Sequence, residues 1–394
     1  MNQQKGRRVL FLNLTTFSKT GGIEKFNKCF LKVLATLSEE NIIYVESLSA
    51  YDSGADEKYF PPEKYKGYSR HLLAFIIQCV LKAKSFDQII LGHINLAIIG
   101  CLIKILFPKK RVILIVHGIE AWQALHTFKK YLLQKADLIL TSSNFTKSKL
   151  VEVQKVNPAK ISIFYNTIDP FFSLPANFEQ NSKIRNHYGL KSDDYILFTL
   201  TRLSYLEQYK GYDTVIKCLP QLLQSIPNLK YVIGGKYDKE EKARIDEIIK
   251  KLHLEKAVIF TGYIKEDELI EHYQMADLFI MPSKAEGFGI VFIEAMVSGL
   301  PVIAGNIDGS VDALQNGELG TLVNPFSTEE ISEKVLEHYH NYKTFGSADK
   351  YNLQQKALSY FGFDLFKNRL HSILSGSIHN SSSVSRGDKI LLNN

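Results

Sequence analysis

The sequence predicts an α/β protein with two doubly wound, parallel-sheet domains that face a cleft. Short apolar runs alternate with amphipathic stretches along most of the chain, which is the pattern of parallel strands joined by crossover helices. A polar segment at residues 171–181 interrupts this alternation, which then restarts with the same rhythm. The length of 394 residues suits two domains of ordinary size.

The first domain is predicted to span residues 1–175. Its apolar runs predict strands at residues 9–14, 42–45, 88–91, 112–116, 138–141 and 161–164. Amphipathic stretches predict helices at residues 23–37 and 70–84, with further helices between the later strands. Residues 51–68 contain two prolines and several charges, so we expect a loop there.

The second domain is predicted to span residues 185–345. Its strands are expected at residues 196–200, 231–233, 258–261, 278–281 and 302–304, with a short edge strand at 321–323. A helix is expected at residues 328–342, and a last helix at about 360–376 is expected to pack back on the first domain. The tail at residues 377–394 is rich in Ser and Asn, so we expect it to be disordered.

Composition points to a soluble, cytoplasmic protein. Hydrophobic residues make up 45% of the chain and charged residues 23%, which is typical of globular proteins. The four cysteines are widely spaced and form neither a disulfide nor a metal pattern, so a reducing compartment is expected. No signal peptide is apparent, and the most apolar window, residues 88–107, is interrupted by polar residues.

The charge is distributed unevenly between the two halves. Residues 1–185 carry 26 basic and 14 acidic side chains, whereas the remainder carries 22 and 27. A basic first half predicts an anionic partner: a membrane surface, a phosphorylated lipid or a nucleic acid. No motif supports a nucleic acid. Residues 59–84 could lie on a membrane, although an apolar helix such as 72–81 is more often part of a core.

Residues 277–325 contain the most informative stretch. An apolar strand is followed by the loop Glu286, Gly287, Phe288 and Gly289, and a helix begins near Ile290. A helix N-terminus at the carboxyl end of a parallel strand binds phosphate through free N–H groups and the helix dipole.

Two carboxylates flank this predicted anion site. Glu286 and Glu294 are eight residues apart, and they suit hydroxyl groups better than phosphate. Glu294 lies in an otherwise apolar helix, so its carboxylate needs a partner. Phosphate together with a polyol predicts a nucleotide sugar as the ligand.

A second cluster follows the predicted strand at 196–200. Arg202 and Lys210 lie between that strand and the helix that begins at Tyr212. Two cations at this end of a strand suit a diphosphate, because Arg chelates two phosphate oxygens and Lys adds a point charge. Taken alone, ordinary surface cations would explain this pair equally well.

Several motifs together resemble the retaining GT-B glycosyltransferases of family 4, over nearly the whole chain. These motifs are EGFGIVFIEAM, which contains the E-x7-E signature, TRLSYLEQYKGYD, YVIGG, FTGYI and YQMADLFIMPS. The resemblance implies that Arg202 and Lys210 stabilise the departing diphosphate, that Glu286 binds the donor sugar, and that His117 contacts the transferred sugar. The residues implied in donor binding are Gly21, Gly22, Gly287, Phe288, Gly289, Ile290, Glu294 and Ser310.

The expected activity is a retaining transfer from a nucleotide-diphosphate sugar, with a UDP-sugar preferred and GDP-mannose as the alternative. The expected acceptor is a glycan or a lipid-linked glycan of surface polysaccharide or lipopolysaccharide synthesis, reached by peripheral contact with the inner face of the cytoplasmic membrane. The sequence has no D-x-D motif, so we expect no metal and no other cofactor.

Rival functions remain open from the sequence. A nucleotide-sugar epimerase, a phosphorylase and a catalytically inactive sugar-nucleotide-binding protein would share much of this pattern. The first strand is not followed by G-x-G-x-x-G, and the chain has no G-x-x-x-x-G-K-[ST] motif, which argues against a dehydrogenase and a P-loop NTPase.

Overall fold

The structure is a computed structural model that describes residues 7–376. The predicted tail at residues 377–394 lies outside the described residues. Two parallel sheets, each covered by helices on both faces, form the two halves of the chain, so the predicted α/β class with two doubly wound units is confirmed. The domain boundaries at residues 175 and 185 stay a prediction.

The first sheet has seven strands in the order β3-β2-β1-β4-β5-β6-β7, all of them parallel. The strands are β1 Arg7–Asn13, β2 Ile43–Ser49, β3 Tyr65–Gly67, β4 Gln88–Leu91, β5 Arg111–Val116, β6 Leu138–Thr141 and β7 Ile161–Ile163. The strand β3 lies in a segment expected to be a loop. It was missed because three residues with one Gly are too few for a periodic signal.

Five helices cover this sheet: α1 Gly22–Glu39, α2 Leu72–Ala83, α3 Ala97–Leu106, α4 Thr127–Lys135 and α5 Asn144–Glu152. The apolar side chains of α1 pack on one face of the sheet, and those of α2 to α5 pack on the other. Both faces of the strands are therefore buried, which explains why these strands read as continuous apolar runs.

The second sheet has six parallel strands in the order β10-β9-β8-β11-β12-β13. The strands are β8 Tyr195–Leu200, β9 Leu229–Gly234, β10 Val258–Gly262, β11 Leu278–Met281, β12 Val302–Gly305 and β13 Thr321–Val323. The expected edge strand at residues 321–323 is confirmed as β13.

The helices of the second half are α6 Ser182–His187, α7 Tyr212–Ser225, α8 Lys239–Lys251, α9 Leu269–Met275, α10 Ile290–Val297, α11 Ser310–Ala313 and α12 Thr328–Asn341. Two helices follow, α13 Ser347–Phe361 and α14 Phe363–Ser375. The sequence reasoning assigned no helix to most of α13. The helix α14 returns to the first half, where Phe366 and Leu370 join the core beside α1.

The order of the strands fixes where a ligand can bind. In the first sheet the order reverses between β1 and β4, and in the second between β8 and β11. Ligands of open α/β sheets bind beyond the carboxyl ends of the strands at such switch points. The loops after β1, β4, β8 and β11 therefore flank the places where a ligand is expected.

The helix α2 differs from the expected core helix. Phe75, Cys79 and Ala83 are buried, but Leu73 and Leu81 are exposed to solvent. The core-helix expectation is thus correct for one face only. Membrane contact of residues 59–84 stays a prediction, and within that segment the rings of Tyr59 and Phe60 are buried. Among the helices of residues 7–376, none is both long and apolar enough to span a bilayer.

Candidate donor site between the two sheets

The loop after β11 leads into α10 with its N–H groups facing the cleft. Gly289 precedes the helix with a φ of 90°, in the left-handed region that favours glycine. Within residues 7–376, the N–H groups of Gly287, Phe288 and Gly289 donate to no protein acceptor. Together with the dipole of α10 from Ile290 onward, these donors form the anion-binding end that the sequence predicts.

Lys210 and Glu286 form an ion pair at the mouth of this loop. The Lys210 Nζ lies 2.5 Å from the Glu286 carboxylate, and both side chains are largely buried. Burial opposes the Lys210 ammonium, but the charge and hydrogen bond of Glu286 outweigh it and raise the pKa of Lys210. The fold thus brings together Lys210 and Glu286, two residues that the sequence singles out and that are 76 positions apart.

Asp308 holds the Glu286 loop in place. Its buried carboxylate accepts the N–H of Glu286 at 2.6 Å and the N–H of Ser310 at 2.9 Å. Burial raises the pKa of Asp308 to about 6. Ser310 begins α11 directly beside this carboxylate, at the position the sequence predicts. The sequence marks Asp308 as an acid in the loop but gives no reason to assign it this positioning role.

Arg202 follows β8 and remains largely exposed. Its guanidinium pairs with Glu207, and that hydrogen bond is the main reason why the pKa of Arg202 is raised. A smaller contribution comes from Glu24 in the first turn of α1. Arg202 thus follows the carboxyl end of β8, which is the side of the second sheet where ligands of this architecture bind.

Glu294 is buried in α10 and has two partners. It accepts a hydrogen bond from the Tyr273 hydroxyl at 2.8 Å and forms an ion pair with Lys25. Because Lys25 belongs to α1, this pair connects the two halves of the molecule. Sequence reasoning identified Glu294 but missed Lys25, whose only sequence signal is its place in the first turn after Gly21 and Gly22.

The loop after β1 is fixed by a buried carboxylate. Asp52 accepts hydrogen bonds from the N–H groups of Thr16 and Ser18, each at 2.8 Å, and from the Tyr65 hydroxyl at 2.7 Å. Burial opposes the charge, but these hydrogen bonds outweigh it and lower the pKa of Asp52. The loop leads to Gly21, so Asp52 fixes the approach of the chain to α1.

His117 follows β5, and its side chain contacts residues of the first half of the molecule. Its Nε2 donates to the Gly92 carbonyl oxygen at 2.9 Å, and Phe26 packs edge-on against its ring. The next residue, Gly118, is in backbone contact with Gly287: a Cβ on Gly118 would lie 2.8 Å from the Gly287 Cα. The two loops that carry His117 and Glu286 therefore touch through their backbones.

A second cross-cleft contact involves Asp312 of α11. Its carboxylate accepts the N–H of Asn144 at 2.9 Å and the Asn144 amide at 2.6 Å. The Tyr165 hydroxyl donates to it at 3.2 Å. Sequence reasoning did not find this network, because its three members lie in three separate segments. Asp312 and Asn144 thus form a polar contact between the two halves.

The described residues do not group into a metal site. Within residues 7–376, no three His, Cys, Asp or Glu side chains are arranged to hold a metal ion. The charged groups around the cleft are instead the cations Lys25, Arg202 and Lys210 and the carboxylates described above.

Comparison with known proteins identifies the family. The family model described as Glycosyltransferase Family 4 matches residues 20–171, and the model described as Glycosyl transferases group 1 matches residues 180–355. This chain belongs to the GT-B glycosyltransferases of family 4. The two family models meet between β7 and β8, at the junction between the two sheets.

Proteins with solved structures share the whole fold. The structure of Anabaena HepE in complex with UDP-glucose has a TM-score of 0.72 and 19% identity, and the match covers 94% of this chain and 99% of that chain. A glycosyltransferase from Rickettsia africae gives a TM-score of 0.76 at 19% identity, covering 95% and 100%. At this identity, both show the GT-B fold.

Among curated sequences, one relative is the GDP-mannose-dependent alpha-(1-6)-phosphatidylinositol monomannoside mannosyltransferase of Mycolicibacterium smegmatis. It is 29% identical over 240 residues, which are 57% of this chain and 60% of the relative. Across eight curated relatives, the match spans between 42% and 60% of the relative's length.

Proposed function

We propose that this family 4 protein is a retaining glycosyltransferase that moves a sugar from a nucleotide-diphosphate sugar to a lipid-linked or glycan acceptor. The observation that carries the proposal is the buried Lys210–Glu286 pair beside the free N–H groups at the start of α10. A cation, a helix end and a hydroxyl-binding carboxylate at one point suit a sugar joined to a diphosphate.

In the proposed reaction, the diphosphate leaves with help from the charges around it. Arg202 and Lys210 neutralise the developing negative charge, and the dipole of α10 adds to them. Glu286 holds the hydroxyls of the transferred sugar, while Glu294 holds those of the ribose. These groups supply the charge that the leaving group needs, so the proposal includes no metal cofactor.

The acceptor hydroxyl is proposed to attack from the face that the diphosphate leaves, which retains the anomeric configuration. The proposal assigns no carboxylate of residues 7–376 as a covalent nucleophile. The departing diphosphate accepts the proton of the attacking hydroxyl. His117 is proposed to border the sugar, and the close approach of the Gly118 and Gly287 backbones is proposed to limit access of water, which would otherwise hydrolyse the donor.

The proposed donor is a UDP-sugar, with GDP-mannose as the alternative. The alternative is supported by the name of the Mycolicibacterium relative, which specifies GDP-mannose. That name also specifies a phosphatidylinositol acceptor, which supports a lipid-linked acceptor for this chain. Surface polysaccharide or lipopolysaccharide synthesis on the cytoplasmic face of the membrane is the proposed setting, and the basic first half supports contact with that membrane.

The test is product analysis with a labelled sugar nucleotide and a lipid-linked acceptor. We expect label in the acceptor with the anomeric configuration of the donor. Lys210→Ala and Glu286→Ala should each abolish most transfer while keeping the fold. Lys334→Ala is the matched control, because it removes a Lys–Glu pair of 2.7 Å on α12, away from the cleft.

Two outcomes would contradict the proposal. Conversion of the donor sugar without any acceptor would indicate an epimerase, and release of a sugar phosphate from a glycan and phosphate would indicate a phosphorylase. Transfer at the wild-type rate by a folded Lys210→Ala protein would remove Lys210 from the site.

A further inference from the structure

The outer faces of α2, α3 and α4 expose a continuous set of large apolar side chains. We call this surface the apolar ridge, and its main members are Leu73 and Leu81 of α2, Ile98, Ile105 and Leu106 of α3, and Phe128 of α4. Leu73 is 74% exposed, Leu81 61% and Ile105 63%. The helix α3 lies between α2 and α4 and contacts both. The ridge is therefore one surface.

These side chains are not needed for the core. The inner faces of the same helices already fill it, through Phe75 and Cys79 of α2, Ile103 of α3 and Leu132 of α4. A surface helix of a globular protein normally has one apolar stripe facing the core and a polar outer face. Helices that are apolar on both faces have a second contact to make, and large exposed apolar patches mark interaction sites.

The ridge lies in the most basic part of the chain. Residues 70–135 contain ten Lys and Arg side chains and two acids, Asp87 and Glu120. Both acids have a backbone N–H as partner: Asp87 accepts from Arg8 and Glu120 accepts from His117. Lys129 and Lys130 follow Phe128 directly, whereas Lys82 beside Leu81 and Lys104 beside Ile105 are paired with Glu46 and Asp137. The ridge thus combines apolar area with an excess of positive charge.

The ridge reaches the edge of the cleft. The helix α3 follows β4 and the helix α4 follows β5. A helix that follows a parallel strand begins at the carboxyl end of that strand, which is the side where the cleft lies. Ile98 and Phe128, in the first turns of α3 and α4, are therefore near the cleft, whereas Ile105 and Leu106 are at the far end.

We propose that the apolar ridge lies in the interface of an anionic lipid bilayer, with α2, α3 and α4 flat on the membrane and their lysines among the lipid headgroups. A bilayer of anionic lipids supplies both the apolar layer and the negative charge that this surface lacks. The purpose of this membrane contact rests on the proposed function, because the contact would present a lipid-linked acceptor at the cleft. The binding itself does not depend on transfer.

The test is co-sedimentation of the full chain with vesicles. Wild-type protein should bind vesicles of phosphatidylglycerol and phosphatidylcholine and bind much less to phosphatidylcholine alone. Leu73→Ser and Leu81→Ser should each lower the partition coefficient about tenfold, because a leucine that inserts contributes that much. Lys129→Gln with Lys130→Gln should lower binding to the anionic vesicles about tenfold and leave binding to the neutral vesicles unchanged.

A matched control is Phe326→Ser, which removes an apolar side chain that is 68% exposed in the second half of the chain. It should bind vesicles like the wild type. Three results would overturn the inference: equal wild-type binding to the two vesicle types, unchanged binding by the Leu73→Ser Leu81→Ser double variant, or a dimer that this double variant dissociates. The last result would make a second copy of the chain the occupant of the ridge.

Titration of the same preparations with UDP and GDP separates the two proposals. Vesicle binding without nucleotide binding would defeat the proposed function and leave the ridge as a membrane surface. Nucleotide binding without vesicle binding would overturn the ridge inference alone. Retained nucleotide binding in the leucine variants would show that they are folded.

Discussion

The contact between the His117 and Glu286 loops can be tested at Gly287. In the structure, a Cβ on Gly287 would lie 2.5 Å from the His117 carbonyl oxygen. The opposing atom belongs to the backbone, so no side-chain rotation relieves the clash. Gly287→Ala therefore forces the two loops apart by about 1 Å to restore ordinary van der Waals contact.

A shift of this size should affect turnover more than nucleotide binding. The nucleotide is expected to bind through Glu294, which the clash does not touch, and through the N–H groups at the start of α10, of which only that of Gly287 belongs to the substituted residue. His117 would instead move away from the transferred sugar. Displacements of about 1 Å at a reacting centre can cost about 100-fold in rate, so we expect kcat to fall by about that factor.

The assay is steady-state transfer together with calorimetric titration of the nucleoside diphosphate. Gly54→Ala is the matched control, because a Cβ there meets no atom within 4 Å. We expect the control to keep the wild-type kcat, and we expect Gly287→Ala to raise the nucleotide Kd by a smaller factor than it lowers kcat. A Gly287→Ala protein with wild-type kcat would refute the close approach of the two loops as a requirement for turnover.

Three further predictions concern the charged groups of the site. Lys210→Met should lower kcat by about 100- to 1000-fold, because the departing diphosphate loses a cation that stabilises its charge. Single-turnover rates would measure this decrease. Glu294→Gln should weaken nucleoside diphosphate binding by about 2 kcal/mol, the size of a charged hydrogen bond, and an unchanged calorimetric Kd would exclude contact with ribose. Asp308 has a pKa of about 6, so kcat/KM should decrease as the pH is lowered beyond that value, because protonation weakens the acceptance of the Glu286 N–H by Asp308. The Asp308→Asn variant should not show this decrease.

The same carboxyl affects stability in a defined pH window. Its folded-state pKa lies above the ordinary value of 3.8, so between about pH 4 and pH 6 the folded protein holds a proton that the unfolded chain has released. Above pH 6 this carboxyl lowers the free energy of unfolding. That loss of stability is recovered as the pH falls from about 6 to about 4. Above pH 6 the buried carboxylate of Asp308 is charged, which costs stability. In this form it accepts the two N–H groups that hold the loop.

The fold was largely predictable because both sheets are parallel and buried on both faces. Such strands are continuous apolar runs, and the helices between them have a clear period. The errors fall where this signal is weak. The strand β3 has only three residues, and α13 has a mixed composition without a strongly apolar face. The helix α2 misled in another way, because its apolar character serves both the core and the exposed ridge.

Of the candidate site, the sequence predicted the residues near one strand end but not their connections. Lys210 and Glu286 follow different strands, and only the three-dimensional sheet order makes them a pair. The pairing of Lys25 with Glu294 depends on how the two halves meet, which no local pattern encodes. The predicted roles of His117 and Arg202 stay predictions that the variants above would test.

The most direct test of the proposed function is calorimetric titration of the wild-type protein with UDP, GDP and ADP and their sugars. The proposal predicts saturable binding of at least one nucleoside diphosphate, with UDP expected first. It also predicts that Arg202→Ala weakens that binding, since its guanidinium faces the diphosphate in the proposed complex. Absence of binding for all three nucleotides by a folded protein would contradict the account.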